Sequence, residues 1–153
     1  MNIRKLVLSV CATIAAAVPV GVGVPTAEAA PQVWAACGIR SPENKVVATY
    51  SKAILDCGDR ESGYRHIKDR HMVEWQQLAA IENRNWRDIV DMAIAKALDN
   101  PEVIVQQDRG AVCYSAQIYL VNFATGAIVK TIYPSIIVGS GRIVTAFSGG
   151  KCA

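Results

Sequence analysis

The chain has 153 residues, of which 52% are hydrophobic and 19% charged, and its formal net charge is +3. A chain of this length has room for one hydrophobic core but hardly for two domains. Its nearly balanced charge does not by itself indicate a nucleic-acid-binding protein. The distribution of charges along the chain is therefore more informative about function than the net charge.

The N-terminal segment is typical of a secretory signal peptide. Two cations precede an apolar run over residues 6–24, and Ala27-Glu28-Ala29 fits the small-residue rule for cleavage before Ala30. A membrane anchor is the alternative interpretation, but glycine and proline interrupt the apolar run and no polar flank follows it. We therefore predict a signal peptide over residues 1–29, one secreted domain over residues 30–153, and no membrane association after cleavage.

Cleavage removes Cys11 and leaves an even number of cysteines, which is typical of an exported domain stabilised by disulfide bonds. The remaining cysteines are Cys37, Cys57, Cys113 and Cys152. Four cysteines allow three pairings, and the sequence does not choose among them. No CxxC spacing occurs, which argues against a zinc site. We predict two disulfide bonds and no metal or other cofactor.

The first part of the domain has no clear periodicity. Residues 30–45 are interpreted as an irregular lead-in segment held by Cys37. Between residues 45 and 57 the sequence is ambiguous, because β-branched residues favour a strand while Ser41-Pro42-Glu43 is typical of a helix start. We favour extended structure over Ala53–Cys57, followed by a turn at Gly58-Asp59.

Two helices are predicted next. Tyr64–Leu78 contains no glycine or proline and favours a helix, with His66 and His71 as candidate break points. The second helix has the clearest signals: Asn85 can cap its start, apolar residues recur at helical spacing, and Asn100-Pro101 ends it. Its apolar face requires a packing partner.

The remainder of the chain favours strands. They are predicted over residues 103–106, 112–123, 127–133 and 142–147, and the short segment Ala124-Thr125-Gly126 joins the second and third as a hairpin. Helices followed by strands indicate an α+β fold, in which N-terminal helices pack on a C-terminal antiparallel sheet.

Outside the signal peptide both histidines fall within one basic octapeptide, Tyr64–His71. Cleavage of RNA through its 2′-hydroxyl requires a base, an acid and a cation that stabilises the charge developing on phosphorus. Imidazole suits the first two tasks because its pKa lies near neutrality. A guanidinium such as that of Arg70 suits the third. The octapeptide is therefore a candidate catalytic segment.

The spacing of the histidines sets a geometric condition. Five residues along a continuous helix turn by about 500°, so His66 and His71 would point roughly 140° apart, whereas His66 and Arg70 share a face. We therefore expect that both rings meet one phosphate only if the helix breaks between them or a neighbouring strand wraps around it.

Other interpretations of the same segment are open. Either histidine is more often a surface or capping residue, and a basic cluster is more often a solvated face. Asp69 and Glu74 are placed to form surface ion pairs with Arg65 and Arg70. A metal site is poorly supported, since the histidine spacing does not match HExxH.

Four motifs occur in order along the chain, and together they resemble the bacterial EndoU-like toxin ribonucleases of the wider barnase, EndoU, colicin and RelE-like group. The motifs are His66-Ile67-Lys68-Asp69-Arg70-His71, Trp86-x-x-Ile89, Ala97-Leu98-Asp99-Asn100-Pro101 and Arg142-Ile143-Val144-Thr145-Ala146-Phe147. The resemblance spans roughly residues 56–148. It implies a metal-independent endoribonuclease, a toxin deployed between bacteria, with helices packed on an antiparallel sheet.

The resemblance also implies residue roles. His66 and His71 match the histidine pair that transfers protons, and Thr145 matches a threonine that contacts phosphate or base. Phe147 stands where relatives commonly have tyrosine, so it can stack on a base but cannot donate a hydrogen bond. Relatives also use a lysine, for which Lys68, Lys130 and Arg142 are candidate counterparts.

The preferred prediction is a secreted ribonuclease that leaves a 2′,3′-cyclic phosphate, with His66 and His71 as acid and base in an unassigned order. Arg70 is expected to stabilise the phosphorane, and Thr145 to position the substrate. The expected partners are single-stranded RNA, whose bases are free to stack, and a cognate immunity protein. The alternatives are a non-catalytic binding or inhibitor protein with the same fold and a secreted metal-dependent hydrolase.

Overall fold

A computed structural model describes residues 34–153, which form two helices and eight strands. The predicted signal peptide and its cleavage site lie outside these residues. The helices are α1 (Gly63–Ile81) and α2 (Trp86–Asp99). The strands are β1 (Val46–Thr49), β2 (Ile54–Asp56), β3 (Val103–Gln106), β4 (Val112–Ser115), β5 (Ile118–Val121), β6 (Ile128–Ile132), β7 (Ser135–Gly139) and β8 (Arg142–Phe147).

The predicted α+β class is confirmed. Six strands form one sheet in the order β1-β2-β8-β7-β4-β3, and β5 and β6 form a separate hairpin. All described strand pairs are antiparallel except β2 with β8, which run parallel where Ile54 faces Arg142. Two strands also precede the helices, in agreement with the extended structure predicted over Ala53–Cys57. The segment after Ser41 forms a turn, with the N–H of Lys45 donating to Pro42 O (3.1 Å), and not a helix.

Helix α2 begins and ends where the sequence predicts. The side chain of Asn85 accepts a hydrogen bond from the N–H of Arg87 (2.9 Å), and Asp88 lies in the first turn, near the positive end of the helix dipole. The helix ends before Pro101, which cannot continue it. Its apolar residues are buried, so the cap fixes a helix that carries much of the core.

Replacing Asn85 with alanine is expected to destabilise the protein by about 1 kcal/mol, because the first turn loses its side-chain acceptor. Chemical denaturation of the wild type and the Asn85→Ala variant measures the difference. Asn85→Ser is the matched control, since a serine hydroxyl caps comparably. Equal midpoints for Asn85→Ala and the wild type would contradict this role of the cap.

The strand predictions were partly wrong. The predicted strand 112–123 is two strands, because the chain leaves the large sheet at Ala116-Gln117 and begins the hairpin. Strand β7 was not predicted. The predicted hairpin at residues 124–126 is confirmed, and the predicted strands 103–106 and 142–147 coincide with β3 and β8.

Helix α1 packs on β8, and α2 packs on β4 and β7, so one face of the large sheet supports both helices. The indole Nε1 of Trp75 donates to Ala146 O (3.0 Å), which fixes α1 along the last strand. The fully buried core includes Leu55, Ile67, Trp75, Ile89, Ile94, Leu98, Leu120, Ile136 and Ile143. This packing sets the position of every side chain on α1 relative to β8.

Both predicted disulfide bonds are present, and the structure supplies the pairing that the sequence left open. Cys37 pairs with Cys57, and Cys113 pairs with Cys152. The first bond holds the lead-in segment, as predicted, and the second fixes the C-terminal tail against β4. Ser135 adds to this anchor, since its Oγ donates to Gly149 O (2.8 Å) and accepts from the N–H of Cys152 (3.0 Å).

Neither helix in residues 34–153 is long and apolar enough to span a membrane.

Candidate active site

The two histidine rings lie together although α1 is continuous. Their centroids are 5.4 Å apart, and both side chains are partly exposed. Of the two conditions expected for this, a break in the helix between His66 and His71 is not met, whereas the neighbouring strand β8 does lie against α1. The pair forms one surface cluster beside the end of β8.

The position of His71 on α1 explains how the rings meet. His71 lies one turn from Ile67 and one turn from Trp75, both buried, so it belongs to the stripe that faces the sheet. Helical side chains lean towards the N-terminus, which brings the ring of His71 back towards the turn that carries His66. An angle of roughly 140° between the Cα–Cβ bonds of His66 and His71 therefore does not keep the rings apart, because the side chains are long and lean along the helix.

His66 is oriented by the chain just before α1. Its Nδ1 lies 2.8 Å from Arg60 O. Because a carbonyl oxygen only accepts hydrogen bonds, Nδ1 must carry the proton. In the neutral ring, Nε2 is then unprotonated and free to contact a substrate.

His71 is oriented by the carboxylate of Glu74, which the sequence suggested as an ion-pair partner of an arginine. Its Nδ1 lies 3.2 Å from Glu74 Oε1, which also accepts from the N–H of Ser148 (3.1 Å). Glu74 thus connects the ring to the end of β8 and leaves Nε2 free. The signal available in the sequence was the i, i+3 spacing of a histidine and a glutamate on one helix.

The predicted surface ion pairs were wrong. Arg65 donates instead to three backbone carbonyls, those of Gly58 (2.6 Å), Gly38 (3.0 Å) and Ser41 (2.6 Å). Glu74 pairs with His71 and not with an arginine. The octapeptide is therefore not merely a solvated charged face, because Arg65 and both of its histidines have specific partners.

Phe147 completes the cluster. Its ring centroid lies 5.6 Å from that of His71, with the ring planes inclined by 30°. Only 23% of the His71 side chain is exposed. This burial, together with the charges of His66 and Arg70, lowers the pKa of His71 below its ordinary 6.5, while Glu74 opposes the shift. His71 is therefore predominantly neutral at pH 7.

Arg70 is exposed and adjacent to the cluster. Its charge is close enough to disfavour protonation of His71. Among the described residues, its side chain has no hydrogen-bond or ion-pair partner within the protein. The guanidinium is available to an anionic ligand.

Thr145 lies on β8, opposite Ile137 of β7. Its hydroxyl oxygen is shielded from solvent and has no hydrogen-bond partner among residues 34–153. A substrate can reach this hydroxyl only after a neighbouring side chain moves. Thr145 thus lies close to Phe147 in the strand but does not present its hydroxyl at the surface.

The other predicted substrate-binding residues lie apart from the histidines. Arg142 starts β8, about 16 Å along the strand from Phe147, and forms an ion pair with Asp56. Lys68 lines a cavity on another side of α1. The structure brings together His66, His71 and Phe147, with Arg70 adjacent, and leaves Arg142 and Lys68 outside this cluster.

The chemistry that this cluster can perform with its own side chains is proton transfer at two nitrogens. Each imidazole has its Nδ1 occupied by an oxygen acceptor, Arg60 O or Glu74 Oε1, and its Nε2 has no hydrogen-bond partner among residues 34–153. Within residues 34–153, no group of three His, Cys, Asp or Glu side chains is placed to hold a metal ion.

Comparison with known proteins shows relatives without an assigned activity. Two uncharacterized proteins of Mycobacterium tuberculosis, MT0764 of strain CDC 1551 and Rv0739 of strain H37Rv, are each 32% identical to this chain over 136 residues. The matches cover 76% of this chain and 50% of each relative, so the chain spans about half the length of the curated relatives it matches. No family model matches the chain. No solved structure matches it either.

Proposed function

We propose that this protein is a secreted, metal-independent endoribonuclease of the EndoU-like type that leaves a 2′,3′-cyclic phosphate. The observation that carries the proposal is the pair of partly exposed imidazoles 5.4 Å apart. Each ring is held through Nδ1 and has its Nε2 free, which is the arrangement that a paired acid and base require.

His71 is the base in this proposal. Its lowered pKa leaves it neutral at pH 7, so its Nε2 can take the proton of the RNA 2′-hydroxyl. The 2′-oxygen then attacks phosphorus, and the bond between phosphorus and the 5′-oxygen breaks. Glu74 stabilises the imidazolium that forms on His71.

His66 is the acid and supplies a proton from Nε2 to the departing 5′-oxygen, which leaves as a hydroxyl. One proton thus enters the histidine pair and one leaves it, so the pair remains singly protonated. A positive charge on His66 lowers the pKa of His71, so it disfavours a second proton on the pair. Arg70 stabilises the negative charge on the phosphorane.

Two disulfide bonds in a small domain support secretion, because such bonds persist in oxidising compartments. The signal peptide predicted from residues 1–29 supports it independently. The choice of single-stranded RNA is supported by Phe147, whose aromatic ring contacts His71 and can stack on an unpaired base. A role as an antibacterial toxin and a cognate immunity protein rest on the family resemblance alone.

The test is to incubate the oxidised protein with single-stranded RNA in excess chelator and to identify the products. We expect cleavage that leaves a 2′,3′-cyclic phosphate and a 5′-hydroxyl, and a double His66→Ala/His71→Ala variant that is inactive. Activity that returns only with added metal would favour a metal-dependent hydrolase. Absence of cleavage on every RNA tried would favour a non-catalytic binding protein.

Glu74 is a positioning residue, and its substitution predicts a change in pH dependence. Activity requires neutral His71, so the rate falls as the pH drops through the pKa of His71, below 6.5. Glu74→Gln keeps a hydrogen-bond acceptor but removes the charge that raises this pKa, so we expect the acid limb of kcat/KM to move to lower pH. Glu74→Ala also removes the acceptor and is expected to lower kcat by up to about 100-fold.

A purely structural role for Glu74 gives a different result. In that case both variants would lose stability and the surviving folded enzyme would keep the wild-type pH profile. Gln77→Ala, on the exposed side of the same helix, is the control and should change neither the profile nor kcat.

A further inference from the structure

A second feature of α1 is a cavity of about 440 Å³ on a different side of the helix from His71. It lies between α1 and the lead-in segment that the Cys37–Cys57 bond holds. Its lining is Cys37, Gly38, Ile39, Arg60, Tyr64, Arg65, Lys68, Asp69 and Met72. The volume lies within the range of small-molecule sites.

The charge of the lining is positive. Arg60, Arg65 and Lys68 face one acidic residue, Asp69. The guanidinium of Arg65 is committed to the carbonyls of the cavity wall. Arg60 and Lys68 are exposed, and among residues 34–153 neither has an ion-pair partner within the protein. Two cations are therefore available to a ligand.

The cavity also has an apolar part. Met72 is partly buried against the core, and Ile39 is fully exposed, with a relative accessibility of 102%. A ligand that combines an anionic group with a flat, weakly polar one would satisfy both parts of the lining. A nucleotide has this combination of phosphate and base.

Arg60 connects the cavity to the histidine cluster. Its carbonyl oxygen accepts from His66 (2.8 Å), and the same residue lines the cavity. One strand of nucleic acid can therefore pass from the histidines across Arg60 into the cavity. A phosphate held at this point would neighbour the scissile one.

We infer that this cavity is a subsite for a nucleotide flanking the scissile bond, with Arg60 and Lys68 binding its phosphate and with Ile39 and Met72 contacting its base or ribose. The choice of ligand rests on the proposed function. The subsite makes the enzyme prefer longer RNA strands to dinucleotides. A dinucleotide has only the phosphate that is cleaved, so it has no phosphate for the subsite to bind.

The experiment measures binding and cleavage separately. Binding of a short fluorescein-labelled single-stranded DNA, which has no 2′-hydroxyl and cannot be cleaved, is followed by anisotropy at several salt concentrations. The test variant is Arg60→Gln/Lys68→Gln, which keeps the Arg60 carbonyl. The control is Lys96→Gln/Arg109→Gln, which removes the same charge from exposed positions outside the cavity.

For the test variant we expect binding at least about tenfold weaker and a salt slope smaller by about 0.7, since both cations contact the same phosphate and each single-strand phosphate contact contributes about 0.7. The control variant should bind within about twofold of the wild type. Asp69→Asn removes the one acidic group of the lining and should tighten binding. This second variant tests the subsite in the opposite direction, so a general loss of folding cannot produce both results.

Cleavage distinguishes the two proposals. If RNA is cut, the test variant should raise KM for a long RNA by a larger factor than KM for a dinucleotide. Equal effects of the test and control variants on binding would overturn the subsite, even if the ribonuclease proposal holds. Selective loss of binding in the test variant, with no cleavage of any RNA by the wild type, would overturn the ribonuclease and keep a nucleotide-binding cavity.

Discussion

Substitution of His71 by alanine is expected to lower the rate of RNA cleavage by about 10²- to 10⁴-fold, which is the usual contribution of a general base. His66→Ala should cause a loss of similar size, because the leaving 5′-oxygen then departs without a proton. The two residues act as a unit, so the double variant should be little slower than the slower single variant. Single-turnover cleavage of labelled RNA measures all three rates.

Two controls keep this result interpretable. Gln76→Ala, on the exposed face of the same helix, should cleave at the wild-type rate. The far-ultraviolet circular dichroism of each histidine variant should match that of the wild type. Losses below tenfold in both folded single variants would remove the basis for assigning catalysis to this cluster.

Removal of the Cys113–Cys152 bond is expected to cause the largest loss of stability. The bond closes a loop of 39 residues, for which chain entropy gives about 4 kcal/mol, whereas Cys37–Cys57 closes 20 residues and gives about 3 kcal/mol. Cys113→Ala/Cys152→Ala and Cys37→Ala/Cys57→Ala should each lower the midpoint of thermal unfolding by about 10 to 20 °C. Thermal scans without reductant measure both shifts.

The two double variants should differ in activity at a temperature where both remain folded. Loss of Cys113–Cys152 frees the tail that follows β8, including Ser148, whose N–H contacts the carboxylate that orients His71. Cleavage should therefore weaken in that variant more than in Cys37→Ala/Cys57→Ala. Midpoints within about 2 °C of the wild type in both variants would show that the bonds contribute little to stability.

The elements predicted best are those with local signals. Helix α2 has a capping asparagine, an uninterrupted apolar period and a terminating proline, so neighbours in the sequence determine both of its ends. Strands β3 and β8 coincide with the predicted ranges because turn residues bound each of them. In these segments, local preference and tertiary packing favour the same structure.

The misplaced strands show two different causes. The split at Ala116-Gln117 has no glycine or proline to mark it, and it arises because β4 joins the large sheet while β5 pairs with β6. Strand β7, by contrast, is followed by the turn dipeptide Ser140-Gly141, a local signal for a hairpin between β7 and β8. Ser140 and Gly141 both have positive φ, 49° and 73°, as in the two-residue turns typical of hairpins.

The candidate site was predictable in its residues and not in its geometry. The concentration of both histidines in one octapeptide pointed to His66 and His71, and the resemblance of the last motif to EndoU-like toxins pointed to Phe147. Their convergence depends on how α1 packs against β8, which no local pattern contains. The i, i+3 spacing of His71 and Glu74 was a local signal for their contact, but the second contact of Glu74 comes from a residue 74 positions away and has no local signal.

The pairing of α1 with β8 also affects how the chain folds. The hydrogen bond from Trp75 to Ala146 joins residues 71 positions apart, and contacts between such distant residues form slowly because a long loop must close first. During synthesis or export the N-terminal part of the chain appears first. The apolar stripe of α1 therefore stays exposed until β8 is available to cover it. We expect chaperones to bind this stripe during that interval. The histidine cluster should form in one of the last steps of folding.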